Sequence, residues 1–210
     1  KGFDRGDKLN IRYVCMTAYE SAFTQFPGLD VAFTKPPKME DIGGQVLSEL
    51  GLTQFRCAET EKFPHVTFFF NDYREEPFDG ETRQMAQSPQ VATYDLQPQM
   101  SAPTICNMVL ERIASAPDDV ILVNFANGDM VGHPGKLDAA IEAVETVDMC
   151  VGQIVDAVLD IGGKVIVTAD HGNAEQMHDP ETGSPHTAHT LYDVECIIAD
   201  DSRMGDATGN

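Results

Sequence analysis

The sequence predicts an α/β protein: a mostly parallel sheet with helices on both faces. Two observations carry that expectation. Short, continuously apolar runs such as DVILVNF (119–125) and KVIVT (164–168) read as strands buried on both faces. Between and around them lie segments with helical periodicity, and alternation of the two is the pattern of a covered parallel sheet.

Taken in order, Ile11 to Met16 (IRYVCM) reads as a short strand and Met39 to Leu50 as a helix, with Ile42, Val46, Leu47 and Leu50 on one face. Gln54 to Ala58 and Val66 to Phe70 (VTFFF) are rich in aromatic and β-branched residues and predict strands. From Asn71 to Gln97 the pattern dissolves into Pro, Gly, Asp and Glu, predicting an extended loop. A helix is expected over Ser101 to Ala114 and a strand over Asp119 to Phe125. Leu137 to Leu159 gives the strongest helical signal, with Leu137, Ile141, Val144, Val147, Val151, Ile154, Val155 and Val158 spaced by three and four. Gly162 and Gly163 end it, Lys164 to Thr168 starts another strand, and Val194 to Ala199 closes the series. Before residue 35 the pattern is weak, Phe33 to Lys38 (FTKPPK) reads as a hinge, and the tail after Asp200 is polar and patternless.

Composition narrows the function classes. With 210 residues and 42% hydrophobic content, the chain can build a sizeable core. A net charge of −20, with no basic cluster to offset it, argues against nucleic acid as a partner. No apolar run is long enough to span a membrane, and the polar, charged first residues show no secretory signal. Five widely spaced cysteines, at 15, 57, 106, 150 and 196, form no CxxC and suit a reducing, cytoplasmic compartment.

Ligands of open α/β sheets bind beyond the carboxyl ends of the strands, so the segments that follow each strand matter most. After Phe125 comes ANGDMVGH (126–133), after Thr168 comes ADHGNAE (169–175), and PHTAHT (185–190) precedes the last strand. Five of the six histidines fall between 133 and 189. Carboxylate and imidazole gathered at strand ends suit a divalent transition metal. Asp129 and His133 are four apart, so one helical turn brings them together. Asp170 and His171 are adjacent and, at a bent strand end, can serve two metals a few ångströms apart. Any one of these residues alone would be an ordinary turn, cap or surface residue; three such segments together point to metal. His178, in a Pro-, Gly- and Asp-containing loop, reads as solvent-facing. His186 and His189 share one segment, and only one of them needs to reach a metal.

The strings NFANGDMVGH (124–133), VTADHGNAEQM (167–177), PHTAHT (185–190), AETEKFPHVTFFFN (58–71) and SPQVATYDLQPQMSA (88–102) resemble those of the cofactor-independent phosphoglycerate mutases, in the family's order. That family has an alkaline-phosphatase-like fold. The resemblance implies an isomerase that interconverts 3-phosphoglycerate and 2-phosphoglycerate through a phosphoserine, using two Mn²⁺ ions and no bisphosphoglycerate; Zn²⁺ or Co²⁺ would suit the same donors. It implies Asp129, His133 and His189 at one metal, Asp170 and His171 as half of the second site, and Lys62 holding the transferring phosphoryl group. It also implies a monomer as the full-length enzyme. Residues 1–38 are then the exit of a substrate domain with its hinge, and 39–210 belong to the metal-binding domain.

Two departures stand out. Pro134 follows His133 where the family has a small hydroxyl residue, a change that the first turn of a helix tolerates. The nucleophilic serine, a further metal-binding aspartate, the arginine-rich substrate domain and a C-terminal helix have no counterpart, so the chain reads as a fragment, incomplete at both ends and inactive by itself. Two other readings share the metal residues: a metal-dependent phosphatase or phosphopentomutase of the same superfamily, and a non-catalytic metal-binding fragment.

Overall fold

The structure is a computed structural model that describes residues 6–7, 10–19, 25–34 and 36–200. It divides into two compact units, Lys1–Met39 and Glu40–Asn210. In the first, β1 (Tyr13–Thr17) and β2 (Leu29–Phe33) pair in parallel, Tyr13 opposite Leu29. The expected tail, 201–210, lies outside the described residues.

The second unit is built on β3 (Gln54–Glu59), flanked in parallel by β4 (Glu81–Ala86) and β5 (Val120–Asn124). Asp119 sets the register where β3 and β5 begin. Its carboxylate accepts from the Thr53 amide (2.7 Å) and hydroxyl (2.9 Å), and its own amide donates back to Thr53 Oγ1. Alternate residues of β3 face opposite ways. Phe55 and Cys57 pack on Ile105, Val109 and Ile113 of α3 (Ala102–Ser115), the main apolar core. On the other face Gln54 donates to the carbonyl of Gly44 in α1 (Gly43–Glu49), and the buried Arg56 guanidinium lies 4.3 Å from the Phe70 ring centroid. The sheet is therefore parallel and its central strand β3 is buried on both faces, whereas β5, expected to be buried on both faces, is only half-buried.

Helix α1 starts at Gly43, later than the periodicity of Met39 to Leu50 implied, because Asp41 takes a left-handed φ of 56° that no helix continues. Two other expectations are corrected. VTFFF is not a strand: Phe63–Val66 forms a short helix, α2, with Pro64 in its first turn, and turns follow to Tyr73. His65, Phe68, Phe69 and Tyr73 meet edge-on at centroid distances of 5.2–5.7 Å, so the aromatic run packs on itself. The stretch 71–97, expected as loop, contains β4. ETRQMA escapes an apolar-run search because β4 is paired on one side, to β3, and presents polar residues.

Beyond β5, α4 (Asn127–Gly132) leads to α5 (Leu137–Asp160), which packs on α3. Strands β6 (Val165–Thr168) and β7 (Cys196–Ala199) pair antiparallel, a departure from the parallel rule at this margin. Between β5 and β6 runs a cleft of about 620 Å³, lined by Ile121, Val123, Val151, Val155, Val165 and Val167. Its far end reaches Lys62, Asp129, Asp170 and His171. The five cysteines are unpaired thiols, and among the described residues no helix is long and apolar enough to cross a membrane.

Candidate metal centre

Helix α4 opens directly after β5, so Asp129 sits in its first turn and His133 at its end, one turn apart. His133 Nε2 lies 3.1 Å from Asp129 Oδ1. His189 arrives from a distant loop. Gly172 and Thr190 form an isolated antiparallel bridge, with the Thr190 amide donating to the Gly172 carbonyl at 3.0 Å. That bridge sets their neighbours side by side: the rings of His171 and His189 stack at 3.7 Å, and His189 Nε2 lies 2.9 Å from Asp129 Oδ1. Glycine at 172 leaves room for the Glu175 and Thr190 side chains, which a Cβ there would force to shift.

Ligand atoms of Asp129, His133 and His189 lie within 4.8 Å of one another, the one such group of three among the described residues. His133 Nδ1 lies 2.9 Å from the Thr187 carbonyl, which can only accept. The Nδ1 proton is thereby committed to Thr187, and in the neutral ring the Nε2 lone pair points at the carboxylate. An imidazole oriented by a backbone carbonyl and facing a carboxylate is the arrangement of a metal-binding histidine. This donor set fits a divalent cation of the manganese, zinc or cobalt type.

Asp129 is the hub. Lys62 Nζ approaches Oδ2 at 2.5 Å, and Asn173 Nδ2 donates to Oδ1 at 2.9 Å. Burial pushes the Asp129 carboxyl up, but the hydrogen bonds from Lys62 and Asn173, with the charges of Lys62 and His133, outweigh it and hold the pKa at about 2. The group is thus an anion throughout the physiological range.

Lys62 projects from the turn after β3 and is buried. Asp170 and His171 follow β6; His171 Nε2 is 3.6 Å from Asp170 Oδ1, and its Nδ1 faces the Gly172 carbonyl at 3.2 Å. These two supply a carboxylate and an imidazole beside the first group. His186 stands outside the cluster, with a buried Nδ1 that has no hydrogen-bond partner among the described residues. His178 bridges to Pro185 away from it.

Sequence reasoning missed three contributors. Asn173, buried, links the Asp129 carboxylate to the loop after β6, and its amide donates to Glu175 Oε2 at 2.6 Å. Gly132 leaves room for it, since a Cβ there would stand 2.9 Å from Asn173 Cγ and nearer still to Oδ1. His65, one turn past Lys62, has its pKa lowered by burial and by the Lys62 charge, against the opposing pull of Asp170 and Asp129. The available signal was the cluster of Asn and Gly around each acidic residue, since small or amide side chains permit close approach.

Residues 7–208 match the metalloenzyme superfamily. The chain is 57% identical over 206 residues to a 2,3-bisphosphoglycerate-independent phosphoglycerate mutase of Rhodopirellula baltica, covering 97% of this chain and 37% of that protein. It is 55% identical over 194 residues to the protein of that name from Syntrophotalea carbinolica, covering 92% of this chain and 37% of the relative. A crystal structure of Leishmania mexicana phosphoglycerate mutase at low cobalt concentration superposes with a TM-score of 0.78 and 33% identity, over 95% of this chain and 38% of that one. The chain thus spans a little over a third of the length of these relatives. With the match running almost end to end and the fold shared, the chain belongs to the metalloenzyme superfamily.

Proposed function

We propose that this chain is the metal-holding portion of a cofactor-independent phosphoglycerate mutase, an isomerase of glycolysis and gluconeogenesis. It interconverts 3-phosphoglycerate and 2-phosphoglycerate in the cytoplasm, as a monomer and without bisphosphoglycerate. The observation that carries the reading is the convergence of His133, His189 and Lys62 on one carboxylate, Asp129, in a chain 57% identical to a mutase of that name.

The site needs two divalent cations, Mn²⁺ being the best candidate. Asp129, His133 and His189 hold one. Asp170 and His171 hold part of the second, whose remaining ligands come from polypeptide outside this chain. Bound there, the ions acidify a hydroxyl nucleophile and neutralise phosphoryl oxygens. The nucleophile is a serine outside the chain, which takes the phosphoryl group and returns it to the other glycerate hydroxyl. Residues 1–38 form the exit of the substrate domain with its hinge, and 39–210 the metal-binding part.

The chain's own residues do the following. Asp129 stays ionised and anchors its cation. Thr187 fixes the tautomer of His133, and the Gly172–Thr190 bridge presents His189. Lys62, a compact point charge held at the site's edge, binds the phosphoryl oxygens as charge shifts among them.

The test uses the full-length polypeptide that contains this chain, with 3-phosphoglycerate followed by ³¹P NMR. Saturating chelator abolishes formation of 2-phosphoglycerate and Mn²⁺ restores it. Full activity in chelator, or stoichiometric release of inorganic phosphate instead of isomerisation, contradicts the reading.

A further inference from the structure

Residues 87–101 bond on one side to the end of β3 that leads into Lys62 and on the other to α4, which carries Asp129. At one end, Ser88 Oγ donates to the buried Glu59 carboxylate (2.9 Å) and its amide to Thr60 Oγ1 (3.1 Å). The Ser101 amide reaches Glu59 from the other end of the segment (3.4 Å), while Ser101 Oγ donates to the Gln87 carbonyl (2.7 Å). Midway, the Tyr94 hydroxyl donates to Glu61 Oε1 at 2.7 Å, and Glu61 is the immediate neighbour of Lys62. The Lys62 amide in turn donates to the Glu59 carbonyl at 2.9 Å.

The same segment grips the helix that carries Asp129. Asn127, fully buried, donates from Nδ2 to the carbonyls of Pro98 (2.8 Å) and Gln99 (2.9 Å). Met100 packs against Ala126 and Val131 while holding a left-handed φ of 45°. A non-glycine residue keeps that conformation only where its surroundings over-determine it. Asp95 pairs with Lys136 at the start of α5.

We propose that residues 87–101 are a positioning strap that holds the Lys62 turn against the Asp129 helix, with Tyr94 as its adjustable contact. The proposal rests on the reading that Lys62 binds the transferring phosphoryl group. Tyr94 is a positioning residue: it acts on Lys62 through Glu61.

The experiment compares full-length wild type with Tyr94→Phe, which removes one hydroxyl and keeps the ring, and with the pair Glu59→Gln and Glu59→Ala. In Tyr94→Phe, kcat falls roughly tenfold, the scale of one hydrogen bond to a charged acceptor, while KM and the Mn²⁺ affinity from calorimetry stay within twofold. Glu59→Gln retains most activity and Glu59→Ala does not. A second readout is independent of turnover: acylation of the Lys62 amine, followed by peptide mass spectrometry, speeds up in Tyr94→Phe. Unchanged kcat and unchanged Lys62 acylation in Tyr94→Phe overturn the strap, as does a loss of kcat matched by an equal loss of bound metal. If the wild type does not isomerise phosphoglycerate, the functional reading fails, and the acylation rates alone decide on the strap.

Discussion

Lys62 and Asp129, 67 residues apart, meet at 2.5 Å, so an ammonium group and two imidazoles compete for one carboxylate. A divalent cation held at Asp129, as proposed, would therefore compete with the lysine for that carboxylate. Replacing Lys62 by Met keeps the length of the side chain and removes the charge. In the full-length protein, K62M should bind Mn²⁺ about tenfold more tightly or better, given the strength of Coulomb repulsion at a few ångströms, while losing activity. Calorimetric titration checks this; weaker binding in K62M would show that the lysine helps to hold the metal.

Asn173 is the second-layer support. Its amide reaches both the carboxylate and the carbonyl of Asp129. Asn173→Ala should weaken metal binding about 10–100-fold, the usual effect of losing an outer hydrogen bond to a ligand. Gly132→Ala should do the same by displacing the Asn173 side chain. Unchanged affinity in both variants would remove Asn173 from the account.

How much of this was legible in the sequence follows from where the physics is local. The apolar spacing of α5 and the apolar runs of β5 and β6 mark helix and strands correctly but not their burial. Leu137, Ile141, Val144 and Ile166 are exposed, while α5 buries Ala140, Ala143, Thr146 and Cys150, and the fully buried strand is β3, QFRCAE. VTFFF carries the composition of a strand, yet Pro64 and its self-packing aromatics decide for helix and turns, and neither contact is visible in a β-propensity count. β4 owes its existence to pairing with β3, a tertiary effect that ETRQMA does not announce. At the site, Asp129, His133, His189, Asp170, His171 and Lys62 were singled out from strand-end position and from motif resemblance. Asn173 was not, because its role depends on a 44-residue separation closed by the fold.

Glu59 supplies a pH test. It is fully buried, and burial raises its pKa above 4.5, only partly offset by hydrogen bonds from Ser88 and Ser101. A carboxyl with a raised folded pKa contributes stability that is full below the unfolded value and is lost as pH rises through the folded one. The difference in unfolding free energy between wild type and Glu59→Gln should therefore shift against wild type as pH climbs above 4.5. Chemical denaturation at a series of pH values measures it; a pH-independent difference would mean that Glu59 titrates normally.

Ile105 lies at the centre of the core between α3 and β3, fully buried. Truncation to Ala should cost about 2–5 kcal/mol, as large-to-small changes in packed cores do. Thermal and denaturant unfolding of the full-length protein check it, and a loss well under that range would place the main core elsewhere.

The central claim is that Asp129, His133 and His189 hold one divalent cation. The most direct measurement is anomalous diffraction at the manganese edge from crystals of the full-length protein grown with Mn²⁺. The account predicts a peak bonded to an Asp129 oxygen and to Nε2 of both histidines, absent in Asp129→Asn. A protein that turns over phosphoglycerate with no peak at these three residues would contradict it.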